Sequence, residues 1–168
     1  MPTALPRSKV KQSQTWNAES VFPSPEAFDA EIRSMLESLP AIKAFQGHLG
    51  DGPDTFIEAM TAMDGLSQRA MKVQVYATMS SAVDATDQQG AELNSKATSA
   101  LAQVSAATSF VDPELLAIGE ARLRQWLADD PRLKLYEHYF NDIFRKQSHV
   151  RNAEVEELLG MLRDPFNS

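Results

Sequence analysis

Residues 53–87 read PDTFIEAMTAMDGLSQRAMKVQVYATMSSAVDATD, and this stretch decides the fold. Phe56, Met60, Met63, Ala70, Val73 and Met79 fall near one face at helical spacing, with Ile57, Leu66 and Tyr76 beside them. Strict alternation, the mark of a strand, is absent. Gly65 is the weak point of the run, costing roughly 1 kcal/mol relative to alanine. An unbroken helix over 53–87 would be about 52 Å long at 1.5 Å per residue. A compact chain of 168 residues has a diameter of only about 40 Å. The stretch is therefore expected either to bend near Gly65 or to lie against something larger, with its Met-bearing part, Met60, Met63, Met71 and Met79, exposed.

The flanking segments carry the same grammar. Ser24, Pro25 and Glu26 supply a cap, a proline for the first turn and an acid at the positive helix end. Phe28, Ile32, Met35, Leu36 and Leu39 follow as one stripe until Pro40 stops it. Residues 41–47 suggest another turn or two before a polar, glycine-bearing turn, Gly47–Gly52. After residue 87, an alanine-rich helix to about Val111 places Ala97, Leu101, Val104 and Ala107 on one side. Asp112-Pro113-Glu114 repeats the start signal for a helix carrying Leu115, Leu116, Ile118, Leu123, Trp126 and Leu127. Asp129-Asp130-Pro131 ends it and begins another, with Leu133, Leu135, Tyr136, Tyr139, Phe140, Ile143 and Phe144. Asn152 caps a last helix bearing Val155, Leu158, Leu159 and Leu162. The prediction is an all-α bundle or array of six to seven mostly antiparallel helices, one of them long (about 53–87), because short connections make neighbours antiparallel.

Composition agrees and narrows the function. The chain holds 22 Ala and 16 Leu against 9 Val and 5 Ile, a balance that favours helices over strands. Its length suits one domain. Without cysteine there is no disulfide framework, thiolate catalysis or Cys-ligated zinc. A net charge of −7 argues against nucleic acid as partner. No apolar run approaches a membrane span and no signal peptide is visible, so no membrane partner and a cytoplasmic location are expected. Residues 1–15 carry +3 from Arg7, Lys9 and Lys11 and read as a flexible tail, with the packed part beginning at Trp16.

Chemistry is hard to find in the side chains. His48, His138 and His149 form no four-residue pair with one another, so the helical two-histidine zinc signature is absent. His138 and Asp142 stand one turn apart and would need a third ligand to hold a metal. The acid pairs Asp129/Asp130 and Glu156/Glu157 read as helix-end residues, not dyads, because neighbours on a helix point about 100° apart. No G-x-S-x-G occurs around any serine. The aromatics Tyr136, Tyr139, Phe140 and Phe144 and the methionines read mainly as core. The residues alone yield no catalytic, metal or substrate-binding residue and no cofactor for this chain.

The order of the segments nevertheless resembles a known family. Trp16-Asn17, Phe45-Gln46-Gly47 with Leu49, and Tyr76-Ala77 followed by Asp84 and Asp87 look like the opening of an oligoendopeptidase F-type metallopeptidase. Ser109-Phe110, Pro113-Glu114-Leu115-Leu116, Trp126-Leu127, Leu133 with Tyr136, His138-Tyr139, Arg145, His149-Val150 and Glu154 to Leu159 continue the likeness to about Phe166. The resemblance implies a mostly helical enzyme of the thimet oligopeptidase-like clan that cleaves short peptides in an enclosed cavity. It also implies zinc on a His-Glu-x-x-His helix of a C-terminal catalytic domain, with the motif glutamate as general base. That motif does not occur here, so no catalytic or metal residue carries over.

On this reading, residues 16–168 are the N-terminal helical domain, a wall of the chamber. The chain is expected to be a fragment, silent by itself and partnered by a missing catalytic domain. Short peptides would be substrates of the parent enzyme. The alternative is a free-standing helical module for protein interaction or dimerisation, which leaves a homo-oligomer open.

Overall fold

The computed structural model describes residues 9–83 and 87–147, with Val155 and Leu158 beyond them. Seven α-helices are seen among these residues, and no strand. They are α1 (Pro25–Glu37), α2 (Leu39–Lys43), α3 (Pro53–Val83), α4 (Gln88–Thr108), α5 (Val111–Ile118), α6 (Glu120–Asp129) and α7 (Glu137–Arg145). Short 3₁₀ turns occupy Gln12–Gln14, Ala18–Ser20 and Pro131–Tyr136. The all-α expectation holds. The last helix, over 152–162, lies outside the described residues except for Val155 and Leu158, both helical and exposed.

Helix α3 is 31 residues long and runs unbroken through Gly65, about 46 Å at the standard rise. It ends earlier than the 53–87 expectation: Asp87 instead caps α4, its carboxylate accepting from the Gln89 N–H at 3.0 Å. Helix α4 returns along α3. Gly90 lies beside Ser80 and Ser81, while Ala100 and Val104 share a cluster with Met63, Leu66 and Ala70. A rising number on one helix thus meets a falling number on the other, so the two run antiparallel.

The length of α3 has a local explanation that periodicity did not supply. It serves two cores. Its first half gives Phe56, Ala59, Met63, Leu66 and Ala70 to a large cluster with α2, α4, α5, α6, the 131–136 turn and α7. Phe56 is fully buried there, 5.3 Å from the Tyr136 ring and 5.5 Å from Phe140. The second half gives Val73, Tyr76 and Ala77 to a smaller cluster with Phe22, Phe28, Leu93 and Ala97. Trp16 and Val21 pack on it from the chain's beginning, and Trp16 stands edge-on to Tyr76 at 6.1 Å. Two ion pairs brace α1 across the hairpin, Arg69 to Glu31 at 2.6 Å and Lys96 to Asp29 at 3.1 Å.

Three local expectations need correction. Pro40 is not what stops α1, which ends at Glu37; Leu39 and Pro40 open α2, where the missing proline N–H is no loss. Asp112 is not a cap. Helix α5 begins at Val111 without a side-chain cap, and the Asp112 carboxylate accepts from the Tyr139 hydroxyl. The helix expected from Asp112 to Asp129 is broken in two at Gly119, whose φ of 88° suits glycine. The Ser24 cap and the Asp130 cap form as read: Ser24 accepts from Ala27 and Asp130 from Arg132.

Candidate functional site

The side chains considered for chemistry are scattered. His48 sits on the exposed turn after α2, its Nδ1 2.8 Å from Asp51. His138 is exposed on α7. Asp142, one turn further on, is ion-paired with Lys146 at 2.5 Å and with Arg145. Lys146 and Arg145 hold the Asp142 carboxyl at about 2. Both of its oxygens are engaged, so the His138–Asp142 pair is not a ready metal site. His149, Asp84, Glu154, Glu156 and Glu157 lie outside the described residues. Among the described residues, no group of three or more His, Cys, Asp or Glu is placed to hold a metal ion. These residues do not fit a zinc ion.

The acid pair at 129–130 is structural. Asp129 accepts from Gln125 at 2.8 Å. Asp130 caps the 131–136 turn and pairs with Arg132, which also reaches Asp54 at the start of α3. Arg132 holds the Asp130 carboxyl below the usual carboxylate range. The aromatic set divides in the same sense: Tyr136 and Phe140 are buried, while Tyr139 and Phe144 pack on the rim of the core. Burial, then the hydrogen bond to Asp112, pushes the Tyr139 phenol well above its ordinary range.

One constellation was not foreseen. The turn after α2 is clasped from 65 residues away, the Glu114 carboxylate accepting from the Leu49 N–H at 3.4 Å and also from the Gly47 N–H. Gly47 itself has φ of 86°, a left-handed conformation that suits glycine. Arg122 donates to the Gly50 carbonyl at 2.9 Å, and a Cβ on Gly50 would lie 3.3 Å from the Ile118 side chain. The sequence signal was an acid directly after Pro113 together with a glycine-rich turn. A helix-end role accounts for such an acid just as well, so the pairing was invisible.

The exposed part of α3 is a different kind of feature. Met71, Val75 and Met79 stand four residues apart and are 64%, 46% and 40% exposed. Met63 is buried and Met60 half-buried, so only the later methionines fulfil the expectation of an exposed Met-bearing face. Asp54, Glu58, Asp64, Arg69 and Lys72 carry all the charges of α3, and Val73 to Val83 carries none. Two hollows open on the described surface. One, of about 170 Å³, is lined by Trp16, Glu19, Tyr76, Asp87 and Gly90, among others. The other is a shallow one beside Arg124, Leu127, Lys134 and Glu137. No described helix is long and apolar enough to cross a membrane.

Against known proteins, a sequence model of the family described as Oligopeptidase F matches residues 114–168. Oligopeptidase PepF of Bacillus subtilis (strain 168) is 35% identical over 162 residues, covering 96% of this chain and 24% of that protein. Group B oligopeptidase PepB of Streptococcus agalactiae serotype III (strain NEM316) is 33% identical over 162 residues, covering 96% of this chain and 27% of that protein. The crystal structure of oligoendopeptidase-F from Enterococcus faecium superposes with a TM-score of 0.77 and 27% identity, over 85% of this chain and 28% of that one. The chain thus spans about a quarter of the length of these relatives. By sequence and by fold alike, the chain belongs to the oligopeptidase F family, as an N-terminal part of it.

Proposed function

We propose that this chain is the N-terminal wall domain of an oligoendopeptidase F-like zinc metalloendopeptidase that hydrolyses short peptides in an enclosed cavity, and that it is silent by itself. The observation that carries the reading is the 35% identity to an oligopeptidase over 96% of this chain. Residues 16–168 form the wall and residues 1–15 an arm outside it. Packing from Trp16 onward supports that division. The zinc and the groups that act with it belong, on this reading, to the catalytic domain, the partner of this chain, because the His-Glu-x-x-His motif that the family likeness implies does not occur in this sequence. The wall's own task is steric: to close one side of the cavity so that only short peptides enter. The enzyme works in the cytoplasm.

The test is to assay quenched fluorescent peptides and zinc content for two samples. One is the 168-residue chain; the other is this chain joined to the remaining three-quarters of the Bacillus subtilis relative. Expected are no turnover and no stoichiometric zinc in the first, and peptide cleavage with retained zinc in the second. Turnover by the chain alone would overturn the reading. The exposed apolar line on α3 favours a second reading, a free-standing interaction module. That module would capture a defined protein without any peptidase part present.

A further inference from the structure

We infer that the line Met71–Val75–Met79, with Thr78 and Ala82 beside it, is the surface on which the remainder of an oligopeptidase F polypeptide docks through an apolar, charge-poor face. The inference rests on the wall reading above and names the surface that reading leaves open. The three side chains follow one ridge of α3 over about 12 Å. They are not spare core residues. The opposite side of the same helical turns already fills the smaller core with Val73, Tyr76 and Ala77.

Charge marks the limits of the surface. The outer face of α3 begins as an ordinary wet face, with Asp54, Glu58 and Asp64 exposed. Past Lys72 there is no charge through Val83, in a chain that is 23% charged overall. Loss of charge with enrichment of methionine is the composition of an interface core, not of solvated surface. By contrast Leu135, though 71% exposed, is a single apolar residue in a stretch that also carries the exposed charges of Arg132, Lys134 and Glu137, as single exposed apolar residues often are. The occupant follows from chain length. Relatives carry about three times as much polypeptide again beyond the matched part. Joined covalently, that part is present at an effective concentration a second copy would not reach in dilute solution.

The absence of cysteine provides the experiment. Val75→Cys and, as an exposed control on the charged first half of the same helix, Glu58→Cys are each labelled with a maleimide, in the 168-residue chain and in the joined polypeptide. In the chain alone both should label at similar rates. On joining, Val75→Cys should slow by about tenfold or more, while Glu58→Cys should not change. Equal labelling of Val75→Cys in both contexts overturns the docking surface, even where the joined polypeptide cleaves peptides. Protection without cleavage keeps the surface and overturns the wall reading instead. Protection in the chain alone that rises with its concentration also overturns the proposal, since the occupant is then a second copy. If the joined polypeptide does not fold, the two parts are mixed, and no slowing at saturating remainder overturns the proposal.

Discussion

Tyr139 and Glu114 show how single side chains organise the fold. The Tyr139 hydroxyl donates to Asp112, and burial raises the phenol above its value of about 10 in an unfolded chain. A group whose folded pKa is raised adds stability that is complete below the unfolded pKa and is lost as pH climbs past it. Stability should therefore fall from about pH 10 upward. Tyr139→Phe should cost about 1 kcal/mol at neutral pH for the lost hydrogen bond and flatten that alkaline decline. Urea titrations between about pH 8 and pH 11 check both; an unchanged slope would remove Tyr139 as its source. Tyr136, also raised by burial, keeps the slope from vanishing. Glu114 acts by accepting two backbone N–H groups that the Gly47 turn would otherwise leave to water. Its partners lie 65 and 67 residues away, so no window of sequence holds them together.

At the scale of elements, α3 and α4 come into close backbone contact at Gly90. A Cβ placed there would lie 3.0 Å from the Ser80 carbonyl oxygen and 3.0 Å from the Ser81 Cα, both backbone atoms. Gly90→Ala should therefore cost about 1–3 kcal/mol through forced separation of the helices, although alanine has the higher helix propensity. Thermal unfolding of the variant decides the sign, and a stabilised protein would mean that the helices yield freely. Helix positions in general were legible, because stripes such as Phe28–Met35 and Leu123–Trp126 repeat at helical spacing and do become buried. Breaks were less legible. Gly119 lies inside a run whose apolar spacing continues on both sides, so only its positive φ separates α5 from α6.

On the scale of the whole molecule, one helix joins two cores. Phe28 and Phe56 are each fully buried, one in each cluster. Phe28→Ala and Phe56→Ala should each cost about 3–5 kcal/mol. Because both clusters include side chains of α3, both variants should shift the same single transition. Circular dichroism and tyrosine fluorescence would report two separate midpoints if the cores were independent. The charge-free end of α3 belongs to this scale too, since its meaning depends on polypeptide that the relatives carry beyond the matched quarter.

The all-α class, the capping at Ser24 and Asp130 and the likeness to oligoendopeptidase F were set by the sequence itself, since each depends on neighbours within a turn or on the order of segments. Tertiary structure decided which methionines of α3 face water. Met60 and Met63 look no different from Met71 and Met79 in periodicity, yet the large core takes in the first pair while Met71 and Met79 stay 64% and 40% exposed. It also decided that Asp112 receives a tyrosine hydroxyl instead of capping a helix. The physical reason is common to both: burial and long-range hydrogen bonds depend on which surfaces meet, and that is a property of the assembled helices, not of the spacing along any one of them.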